Sequence, residues 1–136
     1  MDDKALVKEA ILARENSYSP YSNFMVGAAL LTKSGKVFRG CNIENVGFTP
    51  TNCAERTAFF KAVSEGEKEF TAIAVAGWAK GSDNPGFAYP CGVCRQVMIE
   101  FCNPDSFRII VASGEDNYKS LTLNELLPHG FGPASI

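Results

Sequence analysis

The chain has 136 residues, 46% of them hydrophobic and 21% charged, which fits one domain over 1–136 and leaves no room for two. Thirteen basic and 15 acidic residues give a net charge of −2 with no basic stripe, so a nucleic-acid partner is not expected. No apolar run approaches the ~20 residues that cross a bilayer. The opening "MDDKALVKEAILAREN" lacks the apolar core of a signal peptide, so the expected compartment is the cytoplasm, with no membrane partner.

The first predicted element is a helix over 3–16, with Leu6, Val7, Ala10, Ile11 and Ala13 forming a broad apolar stripe. "YSPYSN" (18–23) is a breaker cluster. Strands over 24–32 and 36–43 flank the turn signal Ser34-Gly35 and read as a hairpin. A Gly/Pro/Thr-rich connection leads to a helix over 53–65, with Ala54, Ala58, Phe59, Ala62 and Val63 on one face and Gly66 at its end. A third strand over 70–78, a loop over 79–89 and a helix over 91–102 follow; Val97, Met98 and Phe101 face inward. Strands over 107–113 and 118–122 and a helical turn over 123–127 complete the series. This alternation predicts a sheet with parallel crossovers and flanking helices, whose helix starts converge at the strands' carboxyl ends.

Five cysteines, an odd number in a reducing compartment, argue against a disulfide framework. Cys91 and Cys94 are three positions apart at a helix start that Pro90 precedes, so both sulfurs fall on one side. Cys53 begins the other helix. Helix N-termini favour thiolates, and three thiolates leave one corner of a zinc tetrahedron open, the mark of a catalytic site. A lone Cys-x-x-Cys also suits a redox dithiol or half of a structural zinc site. Cys102, ~12 Å along the helix from Cys94, reads as core. Cys41 reads as a small buried hydrophobe whose nearness to the site keeps it open, and His129 as a surface or interface residue. Alone, Asn52-Cys53-Ala54-Glu55 scans as a capping box with Asn52 as N-cap and Glu55 at N3. Cys-x-Glu followed by Pro-Cys-x-x-Cys changes that weighting, because this joint pattern is the signature of zinc deaminases.

"CAERTAFFKAVSEG", "PCGVCRQV", "GCNIEN", "YSPYSNFMVGAALL" and "ELLPHGF", in that combination, resemble the short, homotetrameric cytidine deaminases over about residues 4–131. The resemblance implies a three-layer α-β-α fold with a mixed five-stranded sheet flanked by helices. It implies one Zn²⁺ per subunit on Cys53, Cys91 and Cys94, with Glu55 as the catalytic proton shuttle. Phe24 would pack on the pyrimidine, and Asn42 and Glu44 would bind the ribose hydroxyls. The Ala54 backbone would meet the base's carbonyl edge, and that of Pro90 or Cys91 the departing amine. Phe131 would reach in from a neighbouring subunit. The family often carries Tyr at position 48, where this chain has Phe.

The implied reaction is hydrolysis of cytidine and deoxycytidine to uridine, deoxyuridine and ammonia in pyrimidine salvage. Three thiolates on Zn²⁺ sum to −1, and Arg56 is placed to donate to the sulfurs and offset that charge; its bland alternative is a surface salt bridge. Without the resemblance, Phe24 reads as core, and Asn42 and Glu44 as one face of a solvated strand. An aminoacyl-nucleoside antibiotic (blasticidin-type) deaminase and a structural zinc-binding interaction module are the alternatives. A structural site has no use for Glu55.

Overall fold

The computed structural model describes all 136 residues. Asp2 caps the first helix by accepting from the Ala5 backbone N–H at 2.8 Å, and α1 runs Asp3–Arg14. It stops two residues short of the predicted end, where the N–H groups of Glu15 and Asn16 turn back to the carbonyls of Leu12 and Ala13. Strand β1 (Phe24–Thr32) and β2 (Val37–Cys41) form the hairpin, with Gly35 at φ +96° in the turn. Helix α2 (Ala54–Ser64) leads to β3 (Phe70–Ala79), and α3 (Gly92–Phe101) to β4 (Arg108–Gly114). Strand β5 (Asn117–Thr122) and the short α4 (Leu123–Leu126), which opens on a Thr122–Glu125 capping box, precede a final 3-10 turn over Pro133–Ser135.

The five strands form one mixed sheet in the order β2-β1-β3-β4-β5. Only β3 and β4 pair in parallel; the other neighbours are antiparallel. The expected second parallel crossover exists in a looser form. Strands β2 and β3 point the same way, but β1 lies between them, so α2 crosses over one strand. Both α2 and α3 therefore start at the carboxyl ends of their strands, at the same end of the sheet.

Alternation along the strands sorts the core into two layers. Ala29, Leu31, Ala72, Ala74, Ala76, Ile110 and Ala112 face α1, whose Leu6, Val7 and Ala10 pack on them. Ala28, Leu30, Ile73, Val75, Ile109 and Val111 face the opposite way, onto Ala54, Ala58, Phe59 and Ala62 of α2 and Cys94, Met98 and Ile99 of α3. Two glycines let helices lie directly on strands. A Cβ on Gly27 would sit 2.1 Å from the Ala10 carbonyl oxygen, and one on Gly40 would sit 2.4 Å from that of Ala54. The buried Arg14 joins the two strand ends beside the loop. Its Nε donates to the Met25 carbonyl at 3.0 Å and an Nη2 to that of Trp78 at 2.8 Å, with the guanidinium 4.4 Å over the Trp78 ring. No helix is long and apolar enough to cross a membrane.

Candidate active site

Helices α2 and α3 each begin one residue later than predicted, and the displaced residue is a cysteine. Cys53 is the N-cap of α2 and Cys91 the N-cap of α3, both extended and neither making a side-chain cap bond. The capping box expected around Glu55 is therefore absent. Glu55 falls at the second helical position, and Asn52 instead donates its Nδ2–H to Thr57 Oγ1 at 3.2 Å. A position that ordinarily carries Ser, Thr, Asp or Asn carries sulfur, and the sulfurs turn outward toward each other.

The Sγ atoms of Cys53, Cys91 and Cys94 all lie within 4.8 Å of one another. Cys53 to Cys91 is 3.7 Å and Cys91 to Cys94 is 3.5 Å. Sulfurs bound ~2.3 Å from a tetrahedral zinc stand about 3.8 Å apart, so the trio fits the ion as it stands. Cys41, Cys102 and His129 do not join it. Cys102 is buried at the far end of α3, where burial pushes its thiol up to about 12. Cys41 points its Sγ at the Asn16 carbonyl, 3.4 Å away, and burial raises its pKa. His129 is exposed, at φ +55°.

The charges around the sulfurs are uneven. The hydrogen bond from Cys94 chiefly, with help from Arg56 and Cys91, pulls Cys53 down to about 5. Cys94 is pushed up by the same bond and by burial. Arg56 donates an Nη2–H to Cys53 Sγ at 3.3 Å, forms no salt bridge closer than 4.0 Å, and has a buried Nε with no partner. Burial works to lower its pKa, but the Cys53 and Cys94 sulfurs more than reverse this and raise it. Glu55 is 4% exposed, and burial before all else lifts its carboxyl to about 7. The first N–H groups of both helices have no partner within the helix and add partial positive charge at this point.

These groups form one end of a cavity of about 200 Å³ lined by Phe24, Val26, Asn42, Glu44, Thr51, Asn52, Cys53, Ala54, Glu55, Val75, Ala88, Tyr89 and Cys91. Of the residues expected at the site, Phe24, Asn42, Glu44, Cys53, Ala54, Glu55 and Cys91 line it together, with Cys94 buried behind. Phe24 is 43% exposed, so it is a wall of the cavity and not core. The Pro90 carbonyl accepts from Arg95 Nε at 2.7 Å. Phe131 does not line the cavity of its own chain. It stands 64% exposed, its carbonyl held by Gln96 Nε2 at 2.8 Å.

Sequence reasoning missed several participants. Ala88 and Tyr89 close one side, and Lys119, 4.8 Å over the Phe87 ring and 5.1 Å over that of Tyr89, holds that part of the loop against β5. Ser17 and Ser22 lie within or beside "YSPYSN", which signals only a turn. Their hydroxyls reach Asn42 and Glu44. Three non-glycine residues adopt left-handed backbone, Asn23, Phe48 and His129, and Asn23 immediately precedes the Phe24 wall.

A three-layer α-β-α fold with three thiols and a buried carboxyl at converging helix starts defines a hydrolytic zinc site of the deaminase class. Residues 1–110 match the family described as cytidine and deoxycytidylate deaminase zinc-binding region. The chain is 50% identical over 131 residues to a cytidine deaminase of Halalkalibacterium halodurans, covering 96% of this chain and 95% of that one. It is 48% identical over 136 residues to one of Sporosarcina psychrophila, covering 100% and 96%. The crystal structure of a cytidine deaminase from Burkholderia pseudomallei superposes with a TM-score of 0.86 at 46% identity, over 96% of this chain and all of that one. This chain belongs to the cytidine and deoxycytidylate deaminase family.

Proposed function

We propose that this chain is a zinc-dependent hydrolase that converts cytidine and deoxycytidine to uridine and deoxyuridine with release of ammonia, in cytoplasmic pyrimidine salvage. The observation that carries the reading is the buried Glu55 carboxyl beside three converged sulfurs at the end of a nucleoside-sized cavity. Cys53, Cys91 and Cys94 would hold a zinc ion, which would supply Lewis acidity that activates the attacking water. Glu55 takes a proton from the attacking water and delivers one to N3 of the pyrimidine, which makes C4 electrophilic. The water oxygen bonds to C4, and Glu55 carries that oxygen's remaining proton to the amine, so the C4–N bond breaks and ammonia leaves while N3 keeps its proton. A carboxyl near 7 suits this, since it accepts and returns protons at neutral pH. Phe24 stacks on the base, the Ala54 backbone meets its carbonyl edge, and Asn42 and Glu44 take the sugar hydroxyls.

The family spans nucleosides and nucleotides, and charge separates them. The cavity lining contains two carboxylates, Glu44 and Glu55, and no Lys, Arg or His, so a 5′-phosphate finds no partner. Only three protein sulfurs converge, which disfavours a structural zinc module, whose ion takes four ligands. We further propose a homotetramer of one catalytic domain per chain. Tyr21, Val46, Phe48 and Phe131 are exposed apolar groups that a neighbouring copy would cover, with Phe131 entering its cavity. Light scattering at four times the 14.7 kDa chain mass checks this.

The function is tested with a substrate panel followed by ultraviolet spectrum: cytidine, deoxycytidine, cytosine, deoxycytidylate and an aminoacyl-nucleoside antibiotic. Cytidine and deoxycytidine should turn over and deoxycytidylate should not. Glu55→Gln should lower kcat by at least ~10²-fold, as loss of a proton-transfer group does. Turnover of the antibiotic alone would move the chain to the alternative substrate class, and intact activity in Glu55→Gln would end the catalytic assignment.

A further inference from the structure

Asn42 and Glu44 do not stand free at the cavity edge. Glu44 Oε1 accepts from the backbone N–H groups of Tyr21 at 2.9 Å and Ser22 at 3.2 Å, and Oε2 accepts from the Ser22 hydroxyl. That hydroxyl in turn accepts from the Phe24 backbone N–H at 3.0 Å. With the Phe24 N–H directed at the serine oxygen, the serine's single proton points to Glu44. Asn42 is fixed in the same manner. Its Oδ1 accepts from the Val26 N–H at 3.0 Å and from the Ser17 hydroxyl, and its Nδ2 donates to the Phe24 carbonyl at 2.8 Å. These partners assign the amide's oxygen and nitrogen and leave one N–H for a ligand.

The loop that carries both serines is itself pinned. Asn23, at φ +58°, donates its N–H to the Ser19 carbonyl at 2.9 Å and accepts at its own carbonyl from Lys80 at 2.8 Å. Backbone bonds from Tyr18 N–H to Asn42 and from Glu44 N–H to Tyr18, 3.0 and 2.8 Å, stitch the loop to the segment bearing the two ligands. Phe24, Asn42 and Glu44 thus form one hydrogen-bonded wall closed by two hydroxyls.

We infer that Ser17 and Ser22 are positioning residues that fix Asn42 and Glu44 in the geometry that receives the sugar. The inference rests on the reading of those two side chains as sugar ligands. A carboxylate already locked by three donors loses no rotamer freedom when the nucleoside arrives, whereas a free one does, at a factor of about 3 to 10 in affinity. The sugar does not react, so this contribution is made equally in the ground state and the transition state. It belongs in KM and not in kcat.

The experiment is a double-mutant cycle on the zinc-loaded enzyme with cytidine as substrate: Ser22→Ala, Glu44→Ala and the pair, with Ser22→Thr as the conservative variant. Ser22→Ala should raise KM about 3- to 10-fold with kcat held within about twofold. Ser22→Thr, which keeps the hydroxyl, should recover most of the loss. In the Glu44→Ala background Ser22→Ala should add nothing. Unchanged KM in Ser22→Ala while Glu44→Ala raises it overturns the inference, as does an equal KM increase in both backgrounds. Unchanged KM in Glu44→Ala itself overturns the sugar-ligand reading and this inference with it, a pattern distinct from the first two. Ser17→Ala tests the Asn42 arm by the same KM-against-kcat split and serves if Ser22→Ala does not fold. An unchanged KM there removes that arm.

Discussion

Arg56 lies where the charge of three thiolates on a zinc ion would need offsetting. Three thiolates and Zn²⁺ leave one excess negative charge, and the Arg56 Nη2–H lies 3.3 Å from Cys53 Sγ. Its Nε is buried without a partner, so the guanidinium is held in place by the sulfurs and not by a carboxylate. Partners behind a metal ligand are worth about 10- to 100-fold in metal affinity or activity. Arg56→Ala should therefore lose 10- to 100-fold in kcat/KM or zinc affinity while its circular dichroism spectrum stays native. Arg56→Lys should recover only part, since an ammonium is a point charge without the planar fork. A variant that keeps both its zinc content and its kcat/KM would remove this role. The residue scale is also where the sequence misleads. Asn52 and Glu55 have the spacing of a capping box, but Cys53 occupies the cap because the metal site needs its sulfur at the helix mouth. Local propensity alone cannot register that preference.

At the scale of elements, the helices announce themselves through periodic apolar residues, and their starts are read to within one residue at Cys53 and Cys91. Strand pairing is not encoded that way. Nothing in the period of "FMVGAALLT" tells that β1 inserts between β2 and β3, so the parallel crossover over α2 spans an intervening strand. Close approach is likewise invisible until the layers are assembled. Gly40 lies under the first turn of α2, where an added Cβ would sit 2.4 Å from the Ala54 carbonyl oxygen and 2.5 Å from the Ala58 nitrogen. Gly27 has the same relation to α1, 2.1 Å from the Ala10 carbonyl oxygen and 2.3 Å from the Arg14 nitrogen. Overpacking of this kind costs about 1–3 kcal/mol, so Gly40→Ala and Gly27→Ala should both lower the thermal midpoint. Only Gly40→Ala lifts the helix that carries Cys53 and Glu55. It alone should lose zinc and, through misplacement of order 1 Å, about 10²-fold in kcat. Zinc content that falls equally in both variants would mean that α2 seating does not set the site.

Over the whole molecule, the three cysteines bring together the starts of two helices that also pack on one another further along. Phe59 of α2 meets Phe101 of α3 with ring centroids 6.3 Å apart, and Phe70 and Phe107 complete that aromatic group at 5.1 and 6.1 Å from Phe59. At the helix starts, the three sulfurs converge within 4.8 Å of one another. The cysteine cluster was legible in the sequence because a zinc tetrahedron demands fixed residue types at fixed helix positions. The wall of Phe24, Asn42 and Glu44 was less legible, because the serines bonded to it come from a segment whose composition signals only a turn. The placement of the sulfurs at the two helix starts makes the effect of metal removal specific. Zinc at a thousandfold excess over its dissociation constant stabilises the folded state by about 4 kcal/mol, which for a domain of this size corresponds to a midpoint shift of order 10 °C. Chelation should lower the midpoint by that amount at fixed protein concentration, while far-ultraviolet circular dichroism keeps its native shape because the sheet and the core layer under α1 hold none of the three cysteines. The loss should be confined to the mouths of α2 and α3, so amide hydrogen exchange should accelerate at Thr57 and Arg95, whose N–H groups close the first turns on the Cys53 and Cys91 carbonyls, and not in β3 or β4. An unchanged midpoint after complete chelation would show that the sulfurs are held by the fold alone. Exchange that rises uniformly along the chain would show instead that the ion supports the whole sheet.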